Sequence, residues 1–378
     1  MPFLDLPALY AVPAFLVLLT VIVFVHEMGH YLVARWNGVA IQTFSLGFGP
    51  EMVGFNDRRG TRWRLSAIPL GGYVRFVGDM NAASMPDPAA AADFPPEMQS
   101  QLFVNKGVWR RIAVVAAGPL ANVLFTFVVL YGLIVSYGQY VIPPVISSVT
   151  PGSVAATAGL LAGDKVVSVD GFSVRGFEDF QRLVSTAPDR PVAIVVERAG
   201  ADVPVRLVPQ SVNETDRFGN VHRVGRIGVT RDVSNSDVTL YRPNPLEAVG
   251  LTVDEIHFIV DRTVAFIGDF FVGRGDVEQL GGPVKVAQVS GQVATLGIVA
   301  LINLAALLSL NIGIFNLLPV PVLDGGHLLY YLIEAVRRRP LSQKAQEIGF
   351  RVGFAIVGAL MVFTLLNDTL FEALRHAA

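Results

Sequence analysis

The sequence predicts a polytopic α-helical membrane protein that has four transmembrane helices and one β-rich domain outside the membrane. Of its 378 residues, 52% are hydrophobic and 16% are charged, and the mean hydropathy is +0.52. Such a chain is too apolar for an ordinary soluble enzyme and too charged for membrane spans alone. Four apolar stretches approach the roughly 20 residues that cross a bilayer. Short alternating runs between the second and third stretches are typical of strands.

The four spans are expected at residues 8–36, 110–138, 296–318 and 348–366. The first carries no charge from Ala8 through Val25, and the second carries none from Ile112 to Tyr137. A secretory signal peptide is the alternative for the first span. It is disfavoured because the leading residues include Asp5 and no basic residue, and because no small-residue cleavage site follows. We therefore expect the first span to be retained.

Basic residues predict the orientation of the spans, because positively charged loops stay in the cytoplasm. They are concentrated in the segment at 37–108 and in the short link between the third and fourth spans: Arg58, Arg59, Arg62, Arg64, Arg75, Lys106, Arg337, Arg338, Arg339 and Lys344. Both segments should therefore be cytoplasmic. Both termini and the region between the second and third spans should face the outside.

The outer region divides into two parts. Residues 139–230 contain alternating apolar runs such as "PVAIVVERAG" and are predicted to form the β-rich domain. Residues 245–290 are predicted to be an amphipathic segment on the membrane surface, because charges such as Asp254 and Asp261 recur too often for a fifth span. The net charge of -2 gives no indication of a nucleic-acid partner, and the absence of cysteine excludes disulfides and thiol catalysis.

The motif "HEMGH" lies at the cytoplasmic end of the first span. On a helix it puts His26 and His30 one turn apart on one face, where two imidazoles can bind one zinc ion. Glu27 is beside them and can accept a proton from a water molecule. A chance match is the alternative, but ionisable groups inside a span are costly and mark functional sites by default. The context therefore favours a metal centre.

A catalytic zinc site requires a third protein ligand. The best candidate is Asp324, in "NLLPVPVLDGGHLLY" after the third span, since Gly325 and Gly326 permit close approach of the backbone. A helix-ending turn in which Asp324 merely caps the next helix is the alternative. The predicted topology puts Asp324 and the two histidines on the same side of the membrane, so that they can meet. His327 is expected to support the site and not to bind the metal.

Further motifs accompany these residues along nearly the whole chain. They are "AAGPLAN" (116–122), the pattern Asn316-x-x-Pro319-x-Pro321-x-Leu323-Asp324-Gly325-Gly326, "SAIPLGGYVRFVGD" (66–79), "GLLAGDKVVSVDG" (159–171) and "LGGPVKVAQ" (280–288). Each is weak by itself, whereas all of them in this order are specific. With "HEMGH" they resemble the site-2 protease family of intramembrane zinc proteases, and within it the bacterial regulator-of-sigma-E protease branch.

The resemblance implies a zinc metalloprotease of the bacterial inner membrane, with both termini in the periplasm and the active site near the cytoplasmic side. One Zn²⁺ per chain would be bound by His26, His30 and Asp324. Glu27 would be the catalytic base, and Asn316 would help to hold the substrate backbone. The substrates would be single-span membrane proteins already trimmed on their outer side by another protease, such as anti-sigma factors, or remnant signal peptides.

The resemblance also assigns two β-structured parts. Residues 66–79 would form a membrane-reentrant β-loop whose edge pairs with an unwound substrate, and Gly71 and Gly72 would allow close backbone approach there. A hairpin turn is the alternative role of these glycines, and the two roles are compatible. The outer domain would be a PDZ domain. Well-known members of the branch carry two such domains in tandem, whereas this chain has room for one. Its "GRIGV" segment (225–229) is either a site for a peptide C-terminus or an ordinary β-turn.

Two other classes of protein fit part of the pattern. A membrane scaffold could recruit partners through a PDZ domain, but it would not need an intact HExxH motif. A transporter also carries polar residues and broken helices at depth, but it usually shows paired half-repeats, and the four unequal spans show none. Metal analysis separates these classes, because only the protease requires zinc.

Overall fold

The computed structural model describes residues 6–78, 94–215, 221–232, 238–271 and 281–368. The chain divides into two compact units. The membrane unit comprises residues 1–130 and 274–378, and the β-rich unit comprises residues 131–273.

The first elements in chain order are α1 (Leu6–Trp36), β1 (Ile41–Asn56), β2 (Arg62–Phe76), α2 (Pro96–Gln99), a 3-10 turn (Phe103–Asn105) and α3 (Val108–Tyr137). Next come β3 (Gln139–Val141), β4 (Ser148–Val149), α4 (Val154–Thr157), β5 (Lys165–Val169), β6 (Phe172–Ser173), α5 (Phe177–Ser185), β7 (Val192–Arg198), β8 (Ala201–Leu207), β9 (Gln210–Thr215), β10 (Val221–Arg226), β11 (Val229–Thr230) and β12 (Thr239–Tyr241). The last are α6 (Pro245–Phe271), α7 (Pro283–Ala294), α8 (Ile298–Asn316), α9 (Asp324–Arg337) and α10 (Gln343–Leu366).

Four of the described helices, α1, α3, α8 and α10, are long and apolar enough to cross a membrane. This confirms the prediction of four membrane helices, and their bounds lie within five residues of the predicted ones. A helix is the expected form for such segments, because it satisfies its own backbone hydrogen bonds where no water is available.

Glycines allow the membrane helices to approach closely. A Cβ on Gly29 of α1 would collide with the carbonyl oxygen of Ala117 on α3 and lie 2.7 Å from the Cβ of Ala121. On α10, a Cβ on Gly353 would collide with the carbonyl oxygen of Pro321, in the turn that precedes α9. Small residues at such contacts are typical of helix packing in membranes. These contacts hold α1, α3 and the Pro321 turn in fixed positions around the site described below.

The strands β1 and β2 are long and bent, and together they form a small sheet. Residues 43–46 of β1 are flanked on one side by residues 72–75 and on the other by residues 62–65, while residues 51–56 pair with residues 62–66. The end of β2 is therefore an outer strand, and no further strand pairs with it in the described part of the chain.

The turn between β1 and β2 lies at residues 57–61. Within β2 the chain reverses once more between residues 66 and 71, because residues 62–65 run parallel to residues 43–46 whereas residues 72–75 run antiparallel to them. Gly71 and Gly72 lie at the end of this reversal, and a hairpin-turn role for them stays a prediction. Both belong to β2. The predicted reentrant segment at 66–79 is the second half of a larger sheet, and residue 79 lies outside the described residues. The sheet carries several exposed apolar side chains: Phe48, Met52, Val53, Phe55, Leu65 and Ile68.

Asp57 ties this turn to α1. Its carboxylate accepts hydrogen bonds from the Tyr31 hydroxyl (3.0 Å), the Trp63 indole (3.2 Å) and the backbone amides of Arg59 (2.8 Å) and Thr61 (2.9 Å). Arg35, near the end of α1, lies 3.7 Å from the same carboxylate. Burial by itself raises the pKa of the Asp57 carboxyl, but hydrogen bonds from Thr61 and its other donors outweigh burial and lower the pKa to about 2.

The β-rich unit has one main sheet with the strand order β6-β5-β7-β8. Alternate residues of these strands face a core that includes Val166, Ile194 and Val196, and α5 covers it with Phe180 and Leu183. The remaining strands of the unit form short pairs, β3 with β12, β4 with β11 and β9 with β10.

An ion pair with a buried carboxylate lies at the edge of this core. Asp164 is 1% exposed, and Arg198 donates two hydrogen bonds of 2.7 Å to its carboxylate. The Arg198 guanidinium lowers the pKa of Asp164. A carboxylate this deeply buried is stable only because it is paired and hydrogen-bonded.

The helix α6, itself part of the β-rich unit, packs against the hydrophobic core of that unit. Phe258 belongs to the hydrophobic core, Ile259 packs against it, and the Arg182 guanidinium lies 4.2 Å from the Phe258 ring centroid. Three ion pairs join acidic residues of α6 to arginines in residues 175–190: Arg175 with Asp254 (2.8 Å), Arg182 with Glu255 (2.5 Å) and Arg190 with Asp269 (2.9 Å).

The segment predicted at 245–290 is thus not one element. Asp254 on α6 pairs with Arg175, and Asp261 pairs with Arg262 on the same helix. The helix α7 belongs to the membrane unit, and part of the link between α6 and α7 lies outside the described residues. Contact of the exposed apolar residues of α6, such as Leu246 and Val253, with a membrane surface stays a prediction.

The Asp57 contacts yield a testable expectation. Asp57→Ala should destabilise the turn, because it leaves several donors without an acceptor, at a cost of about 1–2 kcal/mol in a partly exposed site. Asp57→Asn keeps an acceptor oxygen and should cost less. Since the folded-state pKa is depressed, the contribution of the carboxylate should be complete above about pH 4 and should be lost as the pH falls towards 2.

Thermal unfolding of the purified variants in detergent and limited proteolysis at residues 57–61 measure this effect. Equal stability and equal proteolysis of the Ala variant and the unaltered protein would show that Asp57 does not hold the turn.

Candidate metal centre and active site

The helix α1 positions the first three candidate residues. His26 and His30 are four residues apart, so both project from the same face of the helix. Their Nε2 atoms are 3.2 Å apart, and both side chains are largely buried, with 11% of each exposed. Glu27 directly follows His26 on the same helix and lines the same cavity as the two histidines.

Asp324 is brought to the histidines by the break that follows α8. Pro319 and Pro321 prevent the helix from continuing, and Val322 adopts a positive φ of 149°, which is rare for a β-branched residue. Asp324 is then the first residue of α9. A Cβ on Gly325 would collide with the carbonyl oxygens of residues 317 and 318, so only glycine permits this tight return of the chain.

The three side chains fit one zinc ion. The Oδ2 atom of Asp324 is 3.0 Å from Nε2 of His26 and 3.4 Å from Nε2 of His30. Ligand atoms 2.0–2.1 Å from a tetrahedral zinc lie about 3.3 Å from one another, which agrees with all three separations. Asp324 Oδ2 is also a buried oxygen with no hydrogen-bond partner among the described residues. A cation bound by the three atoms would satisfy it, and two imidazoles and a carboxylate are donors that zinc accepts.

In the described part of the chain, these three residues are the one group of His, Asp and Glu side chains close enough to hold a metal ion. The group leaves a fourth position for water or substrate, as catalytic zinc sites do.

The helix α3 orients the histidines. Nδ1 of His30 lies 2.9 Å from the carbonyl oxygen of Val114, which fixes its ring and directs Nε2 towards Asp324. A Cβ on Gly118 would collide with Nε2 of His30 and lie 2.9 Å from Cε1 of His26, so glycine is required where α3 passes the imidazoles. The Asn122 side chain contacts His26.

The candidate ligands open into a cavity of about 260 Å³. Its walls come from α1, α3, the end of β2, the end of α8 and α9: His26, Glu27, His30, Gly72, Tyr73, Val74, Phe76, Phe103, Val114, Val115, Asn316, Val322, Asp324, His327 and Tyr331. The cavity is large enough for a short peptide segment and places a carboxylate, Glu27, beside the metal-binding group.

The end of β2 lies directly against Glu27. A Cβ on Gly72 would lie 3.2 Å from Cγ of Glu27 and 2.7 Å from the carbonyl oxygen of Ser45. A hydrogen bond joins the backbone of Val74 to the Glu27 carboxyl. Gly72 thus lies against Glu27 and the β1 backbone, and close approach of a substrate backbone there stays a prediction. Gly71 has a φ of 115° and faces the Phe48 ring, and it is not among the residues that line the cavity.

The remaining predicted residues divide into two groups. Asn316 is the last residue of α8, donates from Nδ2 to the carbonyl oxygen of Ile312 (3.0 Å) and lines the cavity. His327 lines the cavity as well, but it is not in the metal-binding group. The "GRIGV" segment belongs to the β-rich unit, where Gly228 has a φ of 80°. Whether its backbone binds a peptide C-terminus stays a prediction.

Reasoning from the sequence missed the residues of α3 that touch the histidines, Val114, Gly118 and Asn122. The signal was present in "AAGPLAN", because an asparagine inside a charge-free span is unusual, but the sequence alone does not say which side chain it faces.

Comparison with known proteins identifies the family. The family model described as peptidase family M50 matches residues 14–360. The chain is 49% identical to Putative zinc metalloprotease Atu1380 of Agrobacterium fabrum, over 95% of each chain. It is 47% identical to Putative zinc metalloprotease R01501 of Rhizobium meliloti, over 95% of this chain and 96% of that protein. It is 35% identical to Metalloprotease MmpA of Caulobacter vibrioides, over 93% of this chain and 94% of that protein.

These matches cover almost the whole chain and exclude the scaffold and transporter alternatives. The protein is an enzyme, and zinc is its cofactor. With four apolar helices and a site suited to one zinc ion, the chain belongs to peptidase family M50, the site-2 proteases, and is a membrane zinc metalloprotease.

Proposed function

We propose that this metalloprotease hydrolyses peptide bonds within the transmembrane segments of single-span membrane proteins. His26, His30 and Asp324 are the proposed zinc ligands, and Glu27 is the proposed catalytic base. One observation carries the proposal: the metal-binding group and Glu27 share a cavity whose walls come from apolar membrane helices and an outer β-strand. A site for soluble peptides would not need to be built into membrane helices.

The chemistry is that of a zinc peptidase. When bound, zinc lowers the pKa of a coordinated water to about 7 and polarises a carbonyl group. Glu27 accepts the proton of the attacking water and later delivers it to the leaving amine. The hydrogen bond to the Val74 backbone holds the Glu27 carboxyl at the cavity wall.

The outer strand can help to unwind a helical substrate, which is the main obstacle to proteolysis in a membrane. A transmembrane helix uses its own carbonyl groups in hydrogen bonds, so a few residues must unwind before a carbonyl can be attacked. The end of β2 offers an extended backbone with which the unwound segment can pair, and Gly72 brings that backbone close to Glu27. Asn316 provides a carboxamide at another wall of the cavity for the substrate backbone.

The sheet formed by β1 and β2 is proposed to enter the membrane from the cytoplasmic side. Its exposed apolar residues, among them Phe48, Met52 and Phe55, are costly in water and favourable in lipid. This is the membrane-reentrant role proposed for residues 66–79. It would allow a substrate span to reach the strand directly from the bilayer.

We propose that the substrate is trimmed on its outer side before it is cut. In the topology predicted from the basic residues, with both termini and the β-rich unit in the periplasm of a bacterial inner membrane, the outer portion of a substrate must pass a folded domain. A short outer portion can do so, whereas a large folded one is obstructed. The proposed PDZ function of residues 139–230, including capture of a peptide C-terminus, belongs to the same proposal.

Glu27→Gln tests the catalytic base. The amide cannot take a proton, so cleavage of a model single-span substrate in detergent should fall by at least about 100-fold, while one zinc per chain is retained because Glu27 is not a ligand. Mass spectrometry of the products of the unaltered enzyme should locate the cut inside the apolar segment. Substantial turnover by the variant, or a cut outside the span, would refute the respective part of the proposal.

Asp324→Ala and His327→Ala form a matched pair that tests the third ligand. Both residues line the cavity, and only Asp324 lies within ligand distance of both histidines. Asp324→Ala should lose zinc and activity, and His327→Ala should harm each less. Metal analysis after dialysis against a chelator decides the matter: zinc retained by the Asp324 variant and lost by the His327 variant would show that the ligand is wrongly assigned.

The trimming requirement is tested with two substrates that share one transmembrane segment. One has a short outer tail and the other carries a folded outer domain. The full enzyme should cut the short-tailed substrate at least about tenfold faster, because only the bulky tail is obstructed. The shared transmembrane segment without any outer tail provides the control for the intrinsic cutting rate, and equal rates for the two tailed substrates would contradict the proposal.

A further inference from the structure

Asn122 is a buried polar residue that the mechanism so far leaves without a role. It lies on α3 inside a candidate membrane span, and none of it is exposed. Its backbone carbonyl accepts hydrogen bonds from the hydroxyls of Thr126 (2.9 Å) and Ser309 (3.4 Å). Those contacts concern the main chain and do not explain why the side chain is a carboxamide, since burying one is unfavourable unless it is hydrogen-bonded.

The Asn122 side chain points at the metal-binding group. Its terminal amide group lies 3.2 Å from Nδ1 of His26, with Nδ2 as the nearer atom. The other amide atom, Oδ1, is buried and has no hydrogen-bond partner among the described residues. The helix α8 packs closely against Asn122: a Cβ on Gly313 of α8 would lie only 3.2 Å from the Cβ of Asn122. The side chain is therefore confined between α8 and His26.

The protonation of His26 decides which amide atom should face it. The Nε2 atom of His26 is directed at Asp324, 3.0 Å away, and must offer a lone pair if it is to bind a metal ion. A neutral imidazole then carries its proton on Nδ1. In His30 the corresponding Nδ1 lies 2.9 Å from the carbonyl oxygen of Val114, which can accept a hydrogen bond from a protonated Nδ1.

An Nδ2 group facing a protonated Nδ1 would oppose two donors. A half-turn of the carboxamide exchanges its nitrogen and oxygen with almost no change in shape. It brings the unpartnered Oδ1 to His26 as an acceptor and moves the Nδ2 amine away from the Nδ1–H of His26.

We propose that Asn122 is a positioning residue for the zinc ligand His26, with Oδ1 accepting a hydrogen bond from Nδ1–H. The bond selects the tautomer whose Nε2 can bind zinc and fixes the ring in the direction of Asp324. Such partners of metal-binding histidines typically contribute 10–100-fold in metal affinity. The inference rests on the proposed assignment of His26 as a ligand, and it adds a residue from a second membrane helix to the site.

Three variants of the full chain test it by zinc affinity, measured in detergent by competition with a chelator. Asn122→Leu keeps the volume and removes the acceptor, so affinity should fall about 10–100-fold. Asn122→Asp keeps an acceptor and should stay within a few-fold of the unaltered protein. Thr126→Val is the control for loss of a buried polar group one turn away, because the Thr126 hydroxyl bonds to the backbone carbonyls of Asn122 and Ala306 and its removal leaves the Asn122 side chain in place. The zinc affinity of Thr126→Val should be unchanged.

The wild-type protein supplies a measurement that does not depend on the folding of a variant. Nitrogen NMR of zinc-loaded protein with labelled histidine should show His26 Nδ1 protonated and hydrogen-bonded, like Nδ1 of His30. A deprotonated Nδ1 would overturn the proposal, and so would wild-type zinc affinity in a folded Asn122→Leu variant. His26→Ala separates the two levels of the argument: zinc retained there refutes the ligand assignment, whereas zinc lost there but unaffected by Asn122→Leu refutes only the role of Asn122.

Discussion

The membrane unit is organised around the approach of three electron-rich atoms from two helices. Nε2 of His26, Nε2 of His30 and Oδ2 of Asp324 lie within 3.0–3.4 Å of one another. Without a cation, a buried carboxylate oxygen and two lone pairs in so small a space would be unfavourable. With zinc, the same arrangement is a coordination site. Gly29 and Gly325 are required around it because the backbones there approach more closely than a Cβ would allow, and Gly118 is required because α3 passes directly against the two imidazoles.

This constraint connects parts of the chain that are far apart in the sequence. Asp324 reaches α1 only because Pro319 and Pro321 end α8, and Gly353 lets α10 pack against that turn. The sheet of β1 and β2 is held to α1 by Asp57, and its outer strand contacts Glu27 through Val74. Each element that contacts the site is thus fixed by a contact of its own, and a peptidase needs this because the base, the metal and the substrate strand must be aligned together.

Much of this arrangement could be predicted from the sequence, and the limits are instructive. The spacing of His26 and His30 follows from the helical period, and the position of Asp324 follows from topology and its glycines. The orienting contacts of α3 could not be predicted, because an apolar span shows little of which helix it faces. The turn at residues 57–61 and the pairing of residues 43–46 with two separate parts of β2 could not be predicted, because strand pairing depends on contacts between residues far apart in the sequence. The charges of α6 correctly argued against a fifth span, but their partners in the β-rich unit became apparent only in the folded chain.

The central claim is that zinc is bound by two imidazoles and one carboxylate with one position left open. An X-ray absorption spectrum at the zinc edge of the purified protein tests it most directly. The account predicts a four-coordinate zinc with two imidazole nitrogens and two oxygens, all at about 2.0–2.1 Å. The spectrum of His26→Ala should show one imidazole fewer or no bound zinc. A six-coordinate zinc, a single imidazole in the unaltered protein, or a spectrum unchanged by the substitution would contradict it.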